Sequence, residues 1–231
     1  MRLDRFISKS TAHSHQASRL MIARRQVRVN GVVMQDPRTD IDQFMTVTLG
    51  EELLQQQTAH YLMLHKPAGY LSATSDPVHP TVMELMPAPL RALLHIGGRL
   101  DRSSSGLLIL TNDGLWSRRL TEPGKGIPKT YRVSTARPIT HETHQRFADG
   151  IYFAFEDLTT SPAQLEQLDE CEARLTIYEG RYHQVKRMFH AVGNHVVALH
   201  RESMGAIRLD ATLAVAASRP LTPLEIASIE G

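Results

Sequence analysis

What most limits how this chain can fold is an interruption. Residues 50–60, Gly-Glu-Glu-Leu-Leu-Gln-Gln-Gln-Thr-Ala-His, carry three successive glutamines and no apolar period. Such a stretch reads as a flexible polar tether. The chain then divides into a small module over residues 1–50, a linker over 51–60 and a larger domain over 61–231. At 231 residues and 42% hydrophobic composition there is enough apolar material for two unequal cores. Runs such as Leu107–Leu110 stop far short of the roughly 20 apolar residues of a membrane span. The N-terminal residues lack the apolar core and cleavage site of a secretory signal. Cys171 is the only cysteine, which excludes an intrachain disulfide and a four-thiolate zinc site. A soluble, cytoplasmic, monomeric protein with no membrane partner is the expectation.

The formal charge of +2 points to no particular partner, but its distribution is uneven. Residues 1–30 hold seven basic side chains against the single acid Asp4. Concentrated positive charge attracts phosphate better than dispersed charge; a solvated basic helix face is the competing reading. Leu3, Phe6 and Ile7 share one face of a short helix. Ser14 can cap a second helix, in which Ala17, Leu20, Met21 and Arg24 recur at helical spacing. Asn30-Gly31 suits a two-residue hairpin turn, and Met45–Leu49 alternates as a strand. Two basic helices leading into a hairpin resemble the S-four-like RNA-binding module, with Arg5, Arg19, Arg24, Arg25 and Arg28 as candidate phosphate contacts.

In the larger domain, strands are predicted at Tyr61–Leu64, Leu107–Leu110, Thr130–Ser134, Arg174–Tyr178 and Val196–His200. Helices are predicted over Thr81–Met86, Thr140–Ala148 and Tyr182–Val192, the last with Val185, Met188, Phe189 and Val192 as its buried stripe. The acidic stretch 156–172, broken by Pro162, reads as an irregular connection with room for one strand. Strands and helices mix without strict βαβ alternation, so the class is α+β.

Several chemistries lack their motifs. There is no phosphate-binding Gly-x-x-x-x-Gly-Lys-Ser/Thr loop and no dinucleotide fingerprint after a strand. Ser103–Ser105 do not sit in Gly-x-Ser-x-Gly. Twelve histidines invite a metal, but His141 and His144 do not form His-Glu-x-x-His. The others lack a carboxylate or thiol partner set, so no metal is expected.

Three segments can carry chemistry. Leu64-His-Lys-Pro-Ala-Gly-Tyr70 is a strand end followed by a shaped turn; by itself it is an ordinary Pro-x-Gly turn. Gly97-Gly-Arg-Leu-Asp-Arg-Ser-Ser-Ser-Gly-Leu-Leu108 sets an acid between two arginines on a loop before an apolar strand. Catalytic groups favour such loops, and a nearby guanidinium favours the charged form of a carboxylate. A structural Asp–Arg turn fits those residues equally well. Glu179-Gly-Arg-Tyr-His-Gln-Val-Lys-Arg-Met-Phe189 reads as strand, glycine turn and a helix start crowded with cations, suited to phosphate or simply to a solvated basic face.

The order of these motifs, with Lys129-Thr-Tyr131 between the second and third, resembles the RsuA/RluB-type pseudouridine synthases over nearly the whole chain. The one small departure is Ser104, where threonine is common. The resemblance implies a pseudouridine synthase fold, namely a mixed, largely antiparallel β-sheet flanked by helices behind an S-four-like module. It implies isomerisation of a uridine in ribosomal RNA without a cofactor, and the details of the third motif point to uridine 516 of small-subunit (16S) rRNA. Asp101 falls on the family's catalytic aspartate, Tyr131 on the tyrosine that packs on the uracil, and Lys186 on the cation that pairs with the aspartate. Arg99 is expected to hold the extruded base or fill its gap. Leu100 and Val185 are expected as apolar walls, and Arg187, Arg181 and Lys66 as phosphate contacts.

Overall fold

The computed structural model describes residues 1–229, so Glu230 and Gly231 of the expected second domain lie outside it. The chain forms two compact units, Met1–Ala59 and a second beginning at His60.

In the first unit, helices α1 (Leu3–Ser10) and α2 (His15–Ala23) precede strands β1 (Val27–Val29), β2 (Val32–Val33), β3 (Val47–Leu49) and β4 (Glu52–Gln55), in the sheet order β2-β1-β3-β4. The turn between β1 and β2 is the one that Asn30-Gly31 demands: φ is 50° and 80°, and Val29 pairs with Val32. Ser14 caps α2 by accepting the Ala17 N–H. The buried face of α2 is not the expected one. Ser18 and Ile22 are buried, whereas Leu20 is 52% exposed. The Ser18 hydroxyl donates to the Ser14 carbonyl, so a small polar residue occupies the inner face at no hydrogen-bond cost.

The expected tether is also partly wrong. Glu52–Gln55 is strand β4, antiparallel to β3. Leu54 packs against the first core, and the Gln55 amide donates to the carbonyls of Asp42 and Met45. A glutamine that reads as linker in one dimension closes a loop in three.

The second unit is built on a nine-stranded sheet. Its chain order is β5 (Tyr61–Lys66), α3 (Ala88–Arg91), β6 (His95–Gly97), β7 (Ser105–Thr111), α4 (Gly114–Thr121), β8 (Lys129–Thr135), α5 (His141–Asp149), β9 (Tyr152–Phe153), β10 (Leu158–Thr159), β11 (Gln164–Asp169), β12 (Glu172–Ile177), α6 (Gln184–Ala191), β13 (Val196–Met204), β14 (Ile207–Arg208), β15 (Ser218–Pro220) and α7 (Pro223–Ala227). The main path is β11-β12-β8-β13-β7-β5-β15, with β6 on β7 and β14 on β13; β9 and β10 make a separate hairpin. All pairings between these strands are antiparallel except β13 with β7.

Strands β5 and β7 are covered on both faces, which explains the unbroken apolar run Leu107–Leu110. Leu64, Leu108 and Leu110 join one core with Phe147 of α5 and Val185, Met188 and Phe189 of α6. Met63, Leu107 and Ile109 join the other with Trp116 and Leu120 of α4. Strand β8 alternates buried and less buried residues, as half-covered strands do. Helix α4 was not foreseen; Asp113 caps it by accepting the N–H groups of Leu115 and Trp116. The Thr81–Met86 helix is a short 3-10 turn over Val82–Leu85, closed by a Thr81–Glu84 capping box. No helix among the described residues is long and apolar enough to cross a membrane.

Asp4 organises the first unit. Its carboxylate is fully buried, and Oδ2 meets Arg2 at 2.7 Å, Arg19 at 3.0 Å and His15 at 3.1 Å. Burial opposes its ionisation, but the hydrogen bonds from Arg19 and Arg2 outweigh that and hold its pKa at about 2. A depressed carboxyl pKa stabilises the fold above the unfolded value of 3.8, and the stabilisation is lost as pH falls through about 2. Amide-exchange protection of α1 and α2 should therefore decline across that window. Asp4→Asn should cost about 3 kcal/mol of local stability at neutral pH and abolish this acid transition.

Candidate active site

Strand β7 has two neighbours along one edge. Strand β6 pairs with its C-terminal half, Gly97 opposite Ile109, while β13 pairs with its N-terminal end, Arg201 opposite Gly106. The edge opens between them, and residues 98–104, joining β6 to β7, leave the sheet at this fork. The Gly-Arg-Leu-Asp segment is therefore a loop rooted at both ends in strands.

Arg201 fills the fork. It is 1% exposed; Nε donates to the Leu107 carbonyl at 2.8 Å, and the other guanidinium nitrogens donate to Gly98 at 2.9 Å and Arg99 at 3.2 Å. Gly106 makes room for this strand. At φ +107° a Cβ there would lie 2.3 Å from the Arg201 carbonyl oxygen and 2.5 Å from its nitrogen. The glycine of the second motif is thus required by backbone approach.

Lys66 holds the loop from the other side. The expectation that it contacts phosphate does not survive its complete burial. Its ammonium donates to the carbonyls of Ser104 (2.7 Å), Pro67 (3.0 Å), Asp101 (3.2 Å) and Arg102 (3.4 Å). Burial lowers its pKa to about 8, opposed by the charge of Asp101. Ser72 adds two bonds, donating to the Leu100 carbonyl and accepting the Leu100 N–H. Gly69 and Arg102 are joined by a 2.7 Å backbone bond, so the first motif is the socket of the second.

The third motif supplies the cations. Glu179 accepts from the Gln184 amide, the Arg181 guanidinium and the Ser161 N–H, which folds residues 179–184 tightly. His183 is driven into the left-handed region, φ 49°, immediately before α6. From there its Nε2 lies 3.3 Å from Asp101 Oδ1, while Lys186 Nζ, one turn of chain later, lies 2.7 Å from Oδ2. Lys186 also donates to the Ser103 hydroxyl at 2.9 Å. Lys186 and His183 thus meet one Asp101 oxygen each, while the side chain stays 24% exposed and open to solvent.

Asp101 faces a cleft of about 710 Å³. Tyr131, on β8 directly opposite Arg201 of β13, lines it and is 7% exposed. Leu100 and Val185 line it as buried apolar walls. Arg99 is exposed on the cleft lining, and its guanidinium has no ion pair or hydrogen bond among the described residues. Arg181 lines the cleft too, paired with Glu179 at 3.2 Å. Arg187 is committed elsewhere: it grips Glu156 with two nitrogens and lies 3.7 Å above the Phe153 ring, tying the β9–β10 hairpin to α6. Of the three groups expected to act together, Lys186 meets Asp101 directly and Tyr131 lines the same cleft as Asp101, but three further groups at the site were not expected. His183 stood in the motif as one histidine among twelve. Arg201 carries no local signal at all. Lys129 lies in the cleft wall, its pKa lowered by burial and its Nζ bonded to the Ile127 carbonyl. The arginines of the candidate RNA-binding module all belong to the first unit. No group of three or more His, Cys, Asp or Glu among the described residues is placed to hold a metal.

The chain that carries this cleft is similar to known proteins over its whole length. Residues 60–191 match the RNA pseudouridylate synthase family. The ribosomal small subunit pseudouridine synthase A of Pseudomonas aeruginosa is 52% identical, covering 99% of this chain and 100% of that protein. Its namesake in Escherichia coli K12 is 45% identical with the same coverage. A crystal structure of a pseudouridylate synthase superposes with a TM-score of 0.73 at 40% identity, covering 99% of both chains. The chain belongs to the RNA pseudouridylate synthase family, and with it to the isomerases that convert uridine in RNA to pseudouridine.

Because Gly106 is needed for the approach of β13, Gly106→Ala should destabilise the second unit by about 3 kcal/mol. Urea unfolding followed by Trp116 fluorescence measures it; an unchanged midpoint would show that β13 can move aside.

Proposed function

We propose that this chain isomerises uridine 516 of 16S rRNA, with the Asp101 carboxylate as the group that acts on the nucleotide. The observation that carries this is the doubly held carboxylate, 2.7 Å from Lys186 and 3.3 Å from His183, on the same cleft as Tyr131. The two full-length relatives are named for the small ribosomal subunit, which favours the small-subunit target over large-subunit rRNA.

The reaction breaks the N1–C1′ bond, turns the base and joins C5 to C1′; N1 gains a proton and C5 loses one. It is redox-neutral, so no redox cofactor is required. Attack on C1′, attack on C6 and removal of the 2′ proton all need an ionised carboxylate of fixed position. Lys186 and His183 fix the side chain by meeting one carboxylate oxygen each, while Lys66 and Arg201 fix the backbone beneath it. The Tyr131 ring forms the wall against which a flipped uracil packs, with its hydroxyl available for proton transfer at C5. A base inside a helix cannot reach this wall and has to be extruded. Arg99, exposed on the lining and without an ion pair or hydrogen bond among the described residues, holds the extruded nucleotide or fills the gap it leaves in this reading.

In this proposal the first unit is an S-four-like module that binds the rRNA backbone through Arg5, Arg19, Arg24, Arg25 and Arg28. All five are exposed. Arg19 is shared with Asp4, and Arg28 donates to the Gly31 carbonyl. Arg24 and Arg25 follow α2 directly, Arg25 at φ 62°.

Asp101→Asn should bind a small-subunit rRNA fragment within about twofold of the unsubstituted chain while losing at least about a thousandfold in pseudouridine formation. Carbodiimide primer extension reads the product, and appreciable turnover would remove Asp101 from its role. Product in large-subunit rRNA alone would overturn the target. Replacing Arg24, Arg25 and Arg28 with alanine should flatten the salt dependence of binding by about 0.7–0.9 log unit per lost phosphate contact. An unchanged slope would leave them as a solvated helix end.

A further inference from the structure

Most of the large exposed apolar side chains are scattered, but one stands at the chemistry. Tyr182 is 77% exposed and lines the same cleft as Asp101. Its ring is stacked on the His183 imidazole, with centroids 3.9 Å apart and planes within 18°. One face of the tyrosine is therefore covered, and the other is open to solvent.

Two features keep the ring in this pose. The left-handed backbone of His183 turns its imidazole toward Asp101, to which Nε2 is bound at 3.3 Å, so the ring beneath Tyr182 is tethered. The Tyr182 carbonyl accepts from Arg187 at 3.4 Å, and Arg187 is itself locked to Glu156. A flat, half-covered aromatic ring held at this spacing is a platform for one more ring. The cleft lining around it carries Arg99, Arg102 and Arg181, which suits a polyanion more than an apolar peptide.

We propose that the open face of Tyr182 is a stacking site for the base of the nucleotide next to the isomerised uridine, continuing a stack of His183, Tyr182 and base. This rests on the reading that an RNA uridine enters the Asp101 cleft. Every base has a π-face, so the site contributes affinity and holds the strand open without reading a particular base. Because His183 touches both Tyr182 and Asp101, the flanking base would settle against the element that positions the carboxylate.

The test uses the full chain with Asp101→Asn and a small-subunit rRNA fragment carrying 2-aminopurine immediately 5′ or 3′ of the target uridine. Stacking on Tyr182 should quench the fluorophore at one of the two positions. Tyr182→Phe should keep the quench and Tyr182→Ala should abolish it. With Asp101 intact, Tyr182→Ala should raise KM roughly tenfold and change kcat far less; a purely structural role would lower kcat and stability together. A quench that Tyr182→Ala leaves unchanged, or none at either position, overturns the stacking site. Product formation on the same fragment is read in parallel. A Tyr182-dependent quench without product overturns the target and leaves the stacking site standing; product with a Tyr182-independent quench does the reverse.

Discussion

Two buried cations hold the loop on which everything else depends. Lys66 and Arg201 lie on opposite sides of residues 98–104 and donate to backbone carbonyls on and beside that loop. A buried charge is costly unless its hydrogen bonds are met, and buried carbonyls are costly unless a donor reaches them. Here each deficit satisfies the other. The loop cannot relax without stranding a charge, and neither cation can leave without stranding several carbonyls.

That rigidity gives the pairing at Asp101 its value. A carboxylate on a mobile loop would average over many distances from its partners. With its backbone pinned, Asp101 meets Lys186 and His183 in one geometry. Those partners are fixed independently, by the Glu179–Gln184 turn that sets the start of α6 and by the burial of Val185, Met188 and Phe189 against the sheet. The site is the meeting of two separately built elements, with Tyr131 presented on the strand between them.

Much of this was legible because it is local. The apolar run of β7, the Asn30-Gly31 hairpin, the Ser14 cap and the stripe of α6 each follow from residues within one turn or one strand. What failed was non-local. Gln55 read as linker because its acceptors lie 10 and 13 residues away. Leu20 recurs at helical spacing with Ala17, Met21 and Arg24, yet the helix turns Ser18 and Ile22 inward. Lys66 was expected as a phosphate contact from the family resemblance alone; its acceptors lie mostly 35 or more residues downstream.

By itself the sequence determined which residue types the chemistry would use. An acid, a tyrosine and a lysine in a given order identify the family, because that order is written along the chain. Only the tertiary structure decided how the acid is held. The fork in β7, the guanidinium of Arg201 within it and the imidazole of His183 beside the carboxylate all arise from contacts across 80 residues or more. No local pattern encodes such contacts, because they exist only once β6 and β13 have both been laid against the same strand.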